Sequence, residues 1–477
     1  MSIPHPRSRR QSQAGQSLVF VLLLLLALTA GVLVVFNTGQ VVNKKVELVN
    51  AADAAAYSVA AEYARAWNGA AYMNRGRIAN EVAIAQAVSL NSWMTQINVT
   101  SSNISKVVRF IPYAGQVIAA AMEAANSGLQ AVRAGLRTGS VAYIGVLDVA
   151  NTAYAATARA MIETSGINVT DLASRVVADN SPGAGMRPLA TGVLAGQAVS
   201  ARSTYLDTLN VPRGRGRRSE GGERYRNLVM ESRDKFSRNR RDSWFVVQAR
   251  GGTDLVDYDR WAAVDTFDVN ILFGAVKIPV GWGGAQAVGG SQQPRFFPGI
   301  NNGNGWQSEY DGRRHAAYGG VNRRSPAGRL VEGDPGGRLV RGRKQDAYFS
   351  TYTNGLAHTF HDIKPRYAKR PTSDREGGPI FTVEAQSAGS NARTSAVQQD
   401  MAAGRLEMQD DFGGDHIRAL ASAQVYFNRP HQNRRFTRYL WNREDRKLEM
   451  GSLFSPYWQA RLVETPMVER TTLGTLQ

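Results

Sequence analysis

LVFVLLLLLALTAGVLVVF, residues 18–36, is a run of nineteen residues without a charge or a proline. At helical rise it spans roughly 28 Å, about the hydrocarbon thickness of one bilayer. The run predicts a transmembrane helix over residues 16–37. Arg7, Arg9 and Arg10 precede it and no charge occurs from Gln11 to Asn43. Residues 1–15 therefore read as a basic cytoplasmic leader, and the C-terminal bulk is expected to cross. Lys44 and Lys45 weaken that asymmetry without reversing it. The competing reading is a cleaved secretory signal, but Leu28-Thr29-Ala30 is a poor small-x-small site and Val32–Phe36 carry the apolar run past it.

The chain does not break where the apolar run ends. Val42, Val46, Val49, Ala52, Ala56, Ala60, Tyr63 and Trp67 recur at three or four residues, and no proline occurs from Ser8 to Ile111. One helix is expected to run out of the bilayer. Nine of the sixteen residues from Ala51 to Ala66 are alanine, which favours helix and leaves a thin ridge that another element can approach closely. Two readings of that ridge stand: a surface for another protein, or a surface that folds back on the chain's own helices.

Basic residues, then Gly15, a long apolar helix, Gly39-Gln40 and Asn50-Ala-Ala-Asp53-Ala-Ala-Ala56 resemble the N-terminal region of TadE/TadG-like proteins of the Flp (tight adherence) pilus assembly system. The resemblance extends through residues 71–90, and the phrases Ser422–Pro430 and Leu453–Leu462 are similar to those that close such proteins. It implies a location in a bacterial inner membrane, crossed once, with the bulk periplasmic or built into an extracellular filament. The implied partners are the lipid bilayer and other pilus-assembly or pilin-like membrane proteins. In pilin-like members of this wider group a prepilin peptidase cuts after a glycine that abuts the apolar helix, which here implies processing between Gly15 and Gln16. Such pilins carry a glutamate five residues on, where this chain has Phe20. The resemblance therefore implies an assembly or minor pilin-like component more than a major filament subunit. Asn50, Asp53 and Tyr57 are the expected helix-packing residues beside the membrane, Asp53 because a carboxylate among alanines needs a partner or water.

The expected fold class is α+β. A long N-terminal transmembrane helix continues into an Ala-rich helical domain, 38–209, with breaks near Asn98–Pro112 and Asn180–Pro188. A basic linker, 210–243, then leads to a β-rich domain, 244–477, with long Gly/Arg-rich loops. Strands are predicted at Trp244–Gln248, Thr266–Val280, Tyr348–Lys364, Pro379–Gln386 and Ala419–Phe427, and loops over Gly281–Gly320 and Arg313–Lys344. The last aromatic phrases are read as an edge strand packed on the sheet.

The 477 residues carry a formal charge of +18 and no cysteine, so disulfides and thiolate metal sites are excluded. Such a surface attracts polyanions. Arg213, Arg215, Arg217 and Arg218 form the densest cluster, and with Tyr225, Phe236 and Trp244 they define an alternative reading as an envelope protein that binds DNA or another polyanion. No zinc finger, helix-turn-helix spacing or RNA-binding signature accompanies them. A third reading places a metal or hydrolase site at His358, His361 and Asp362, although a strand or loop would aim the two imidazoles apart. Asp410, Asp411, Asp415 and His416 lack calcium-loop spacing, and Gly337–Lys344 misses a phosphate loop by one position. No GxSxG motif or thiol nucleophile occurs, and the DxSxS signature of the von Willebrand A-type domain found in some TadG-like proteins is absent. No cofactor and no catalytic residue is expected.

Overall fold

The computed structural model describes residues 16–112, 114–210, 228–238, 240, 242–244, 246–256, 260–271, 276–289, 350–353, 359–364, 367, 378–394, 416–428 and 451–474. One element threads them all. Helix α1 (Gln16–Val108) runs 93 residues without interruption, about 140 Å at helical rise. It ends where Pro112 removes a backbone donor. Helix α2 (Gly115–Thr164) then returns antiparallel along α1.

The seam between these two helices is polar. Asn98 Nδ2 donates to Asn126 Oδ1 at 2.7 Å, Asn91 Nδ2 to Ser140 Oγ at 2.7 Å, and Asn80 Nδ2 to Asn151 Oδ1 at 2.9 Å. Asn126-Ser127-Gly128 and Gly139-Ser140, weak punctuation in the sequence, do not end α2, because Asn126 and Ser140 spend their polar atoms on α1. Two short helices follow: α3 (Val169–Asn180), and α4 (Pro188–Tyr205), with proline at its first turn where no donor is needed. The break at 165–168 between α2 and α3 carries no proline; it falls on the turn dipeptide Ser165-Gly166, outside the two breaks expected from composition.

Three sheets pack around this frame. One is four-stranded, in the order β1 (Ala184–Gly185), β9 (Ile380–Ala388), β10 (His416–Phe427), β11 (Trp458–Val463), antiparallel throughout. β11 is an edge strand, in keeping with the C-terminal aromatics. A pair joins β2 (Leu206–Asn210) to β8 (Thr359–Ile363). The third sheet runs β3 (Asp242–Trp244), β4 (Val247–Val256), β5 (Arg260–Ile271), β6 (Val276–Gly289) and β7 (Ser350–Thr353), with only β6–β7 parallel. Further short helices include α5 (Lys235–Arg238) and α6 (Met467–Thr472). The long apolar helix and the β-containing C-terminal region make the fold α+β.

Two apolar cores sit at different heights on α1. In the lower one Leu48, Ala52, Ala55, Ala56, Val59, Tyr63 and Trp67 pack against α3, α4 and the inner residues of β9 and β10, such as Phe381, Val383, Ala423 and Val425. In the upper one Ile84, Ala85 and Val88 meet Trp261, Ala263, Ala285 and Met230. The alanine ridge is thus an internal surface, closed by the chain's own sheet as much as by its helices. The composition of Gly281–Gly320 predicts loop, but residues 281–289 belong to β6. Its glycines are a contact surface: a Cβ on Gly281 would strike Thr100 Oγ1, and one on Gly283 the Ser92 carbonyl.

Between the cores lies a buried polar belt. Asn74 Nδ2 donates to the Leu453 carbonyl at 2.8 Å, Arg77 Nη1 to Asn74 Oδ1 at 3.3 Å, and Trp261 Nε1 to Glu81 Oε2 at 2.8 Å. Asp362 Oδ1 accepts the Leu453 amide at 2.8 Å. Higher up, Arg240 forks onto Asp265 at 2.7 and 3.0 Å, and Ser92 Oγ donates to the same carboxylate at 2.5 Å. Buried charges require such pairing.

Candidate functional site: a bare face of the long helix

The lower end of the body is fastened to α1 by two lysines. Lys44 is buried, and its Nζ donates to Glu47 Oε1 at 2.8 Å, Ser181 Oγ at 2.9 Å and the Pro182 carbonyl at 3.4 Å. Hydrogen bonding to Lys44 and then Ser181 holds the Glu47 carboxyl below its ordinary value. Lys45 Nζ donates to the Arg418 carbonyl. One turn of helix is thereby tied to the end of α3 and the start of β10.

From this clamp upward one side of α1 is buried and the other is not. Leu48, Ala51, Ala52, Ala55 and Ala56 are fully covered, whereas Val42, Val46 and Val49 are exposed, Val46 by 52%. The periodicity puts these three valines in one helical phase with Ala60 and Tyr63. They do lie on the side that is buried higher up, but its cover ends: α2 stops at Thr164, beside Tyr63 and Gly69. Met161 lies where a Cβ on Gly69 would stand, and Gly166 faces the Tyr63 hydroxyl. Above that level Ala60, Tyr63 and Ala64 are buried; below it the surface is bare.

Asn50, Asp53 and Tyr57 belong to this bare side. Asn50 is exposed, Asp53 half-buried and Tyr57 48% exposed. Spacings of three, four and seven place them on one face. None makes a hydrogen bond or ion pair with another described residue. Partial burial raises the Asp53 carboxyl above its usual range. The face continues downward in register. Leu24, Ala27, Leu28, Gly31, Val32, Val35 and Phe36 line a shallow open groove on the apolar segment. Leu24, Leu28, Gly31, Val35, Gly39, Val42, Val46, Val49, Asp53 and Tyr57 then follow at steps of three or four, one line about 50 Å long. A Cβ added at Gly31 or Gly39 would have nothing within 4 Å, so the line is open at both.

The other sequence candidates divide by location. Gly15, Arg213, Arg215, Arg217, Arg218, Tyr225, His358, Asp410, Asp411, Asp415 and the stretch Gly337–Lys344 lie outside the described residues. Gln16 is the first residue of α1. Phe236 packs edge-on against Trp93 at 6.0 Å, with the Arg240 guanidinium 5.1 Å from its ring, so it is occupied internally. Trp244 is exposed. His361 Nδ1 lies 3.2 Å from Thr208 Oγ1, and burial followed by nearby Arg202 lowers its basicity. Its neighbour Asp362 is committed to backbone amides of Ile363 and Leu453, while His416 is exposed at the start of β10. Among the described residues no group of three or more metal-ligating side chains gathers.

Among the described residues one helix, α1, is long and apolar enough to cross a membrane, and none of its most apolar stretch is buried. Comparison with curated proteins and with solved structures found no match. Residues 15–62, a stretch that takes in the part of α1 holding the apolar segment, the clamp and the bare face, match the family model described as Putative Flp pilus-assembly TadE/G-like.

Proposed function

We propose that this chain is a membrane-anchored structural or assembly component of a Flp/Tad-type pilus or related secretion apparatus, acting by helix packing and surface recognition without catalysis. Its N-terminus stays cytoplasmic and its body stands outside the membrane. The observation that carries this reading is the bare face of α1 from Val42 to Tyr57, which continues in register into an apolar segment exposed on all sides from Leu18 to Phe36. A helix of another pilus-assembly or pilin-like protein, crossing the same bilayer, would lie along it. Gly31, Gly39 and Ala27 let two backbones approach closely. Asn50, Asp53 and Tyr57 supply polar partners where the pair emerges into water.

Removing residues 15–36 tests the anchor. The expected product leaves the membrane fraction and the pilus or secretion machine fails to assemble; a soluble deletion that still supports assembly would contradict the proposal. The mature N-terminus tests processing: Gln16 indicates pilin-type cleavage, Met1 or Ser2 a plain anchor, and Gly31 a secreted product.

A further inference from the structure

We infer that the body carries a basic collar around the exit of α1 that seats it on anionic phospholipid headgroups, fixing its height and tilt above the bilayer. The inference rests on the reading of residues 16–37 as the membrane span. Phe36 ends the apolar run, and the uncharged stretch continues to Asn43. Lys45 therefore stands about 13 Å beyond Phe36 along the helix, several ångströms outside a headgroup layer about 5–8 Å thick and within a Debye length of it.

Three cations meet there. Lys45 is held against the Arg418 carbonyl, and Arg418 is the third residue of strand β10. Arg393 is exposed and close enough to Glu47 to help hold that carboxyl low. Its backbone has φ 48°, the left-handed region, and it is the one non-glycine with positive φ among the described residues. Residues other than glycine occupy that region at a cost.

The local acids do not cancel these charges. Glu47 is matched by Lys44 at 2.8 Å. Glu384 is fully buried and already paired with Arg187 at 2.8 Å, leaving Arg418 at 4.0 Å as a second cation on one carboxylate. Of the exposed described acids at this end, Asp179 near the close of α3 is the neighbour of Ser181. Among the described residues these three cations thus face one exposed acid. Near an anionic surface each cation is worth about fivefold in partitioning, and the effect falls off within a Debye length.

The competing occupant is the chain's own stretch 395–415, which holds five acids and one arginine in sequence. The chain lacks cysteine, so a single Ser390→Cys, on the exposed turn before Arg393, can carry a dye. The full-length protein is reconstituted into vesicles of phosphatidylcholine alone and of phosphatidylcholine with phosphatidylglycerol, each with a headgroup-labelled neutral acceptor lipid. Energy transfer should be higher with phosphatidylglycerol. That excess should vanish at high salt and shrink severalfold in Lys45→Gln/Arg393→Gln, and Arg393→Gln alone, which leaves the Lys45 contact with Arg418 in place, should show part of that loss. Equal transfer in both lipids, the result expected if residues 395–415 neutralise the collar, would overturn the inference, as would an excess that survives the double substitution. Failure to float with either vesicle would instead refute the membrane span itself.

Discussion

Trp67 of α1 and Trp458 of β11 meet edge to face, ring centroids 4.7 Å apart at 90°. The neighbouring Asn68 grips the same strand twice, its Oδ1 accepting the Trp458 amide at 2.9 Å and its Nδ2 donating to the Trp458 carbonyl at 2.8 Å. The last strand is thereby locked to the first helix. Trp458→Ala should cost about 3–5 kcal/mol through lost burial and the cavity left behind. Asn68→Ala should cost about 1–3 kcal/mol by leaving buried backbone groups unpaired. Thermal melting of both variants in detergent checks this; an unchanged melting point for Trp458→Ala would show that β11 is not part of the lower core.

Asp53 should behave as a residue kept for assembly at some expense to stability. Burial raises its carboxyl in the folded chain, so the ionised form disfavours folding, and stability rises as pH falls through the folded value. Asp53→Asn should therefore melt no lower than the parent at neutral pH, while assembly of the pilus or secretion machine drops. A variant that is less stable and fully competent in assembly would reverse that assignment.

The clamp below it has the opposite sign. Glu47 titrates below its ordinary 4.5 because Lys44 and Ser181 hold the ionised form. Its stabilising contribution is complete above that value and is lost as pH falls through the lower folded value. Hydrogen exchange of the amides around Ser181–Gly185 should accelerate over that acid range. Glu47→Gln should be faster already at neutral pH and show a flatter acid response. Parallel profiles for the two proteins would remove Glu47 from the clamp.

Close approach of α1 to β6 is a further test of the upper lobe. Gly283→Val would place side-chain atoms on the Ser92 carbonyl, and overpacking of this kind costs about 1–3 kcal/mol or more. Gly145→Ala, on α2 with open space around it, should stabilise by up to about 1 kcal/mol. If the two substitutions had equal effects on melting, the helix–sheet contact would be wrong.

The apolar run, the absence of proline up to Ile111 and the alanine ridge make α1 legible in the sequence, because each is a local property of one helix. The strands at 380–388 and 416–427 are legible for the same reason: β-branched and aromatic residues sit in short bounded runs. What stays hidden depends on contacts distant in sequence. Glycines at 281–284 look like loop residues until a helix is seen to lie on them. Val42, Val46 and Val49 share a helical phase with Ala60 and Tyr63, which leaves burial and exposure both open, and only the end of α2 at Thr164 decides that they are bare. Asn50, Asp53 and Tyr57 stand out in the sequence. The seam that continues them down to Leu24 does not, because uniformly apolar residues conceal which side faces a partner. Lys44 illustrates the reverse case: it reads as a topogenic surface charge, and burial on Ser181 makes it a structural one.

In the assembled apparatus this seam should be covered by a helix of another protein. Photo-crosslinking in cells that build the apparatus can show it, with a photoreactive residue at Val46 or Tyr57 and a control at the equally exposed Tyr143 of α2. A discrete adduct with another membrane protein is expected from Val46 and Tyr57 and none from Tyr143. No adduct from either seam position, while Tyr143 yields one, would mean that the seam is not the surface through which this chain meets its partner.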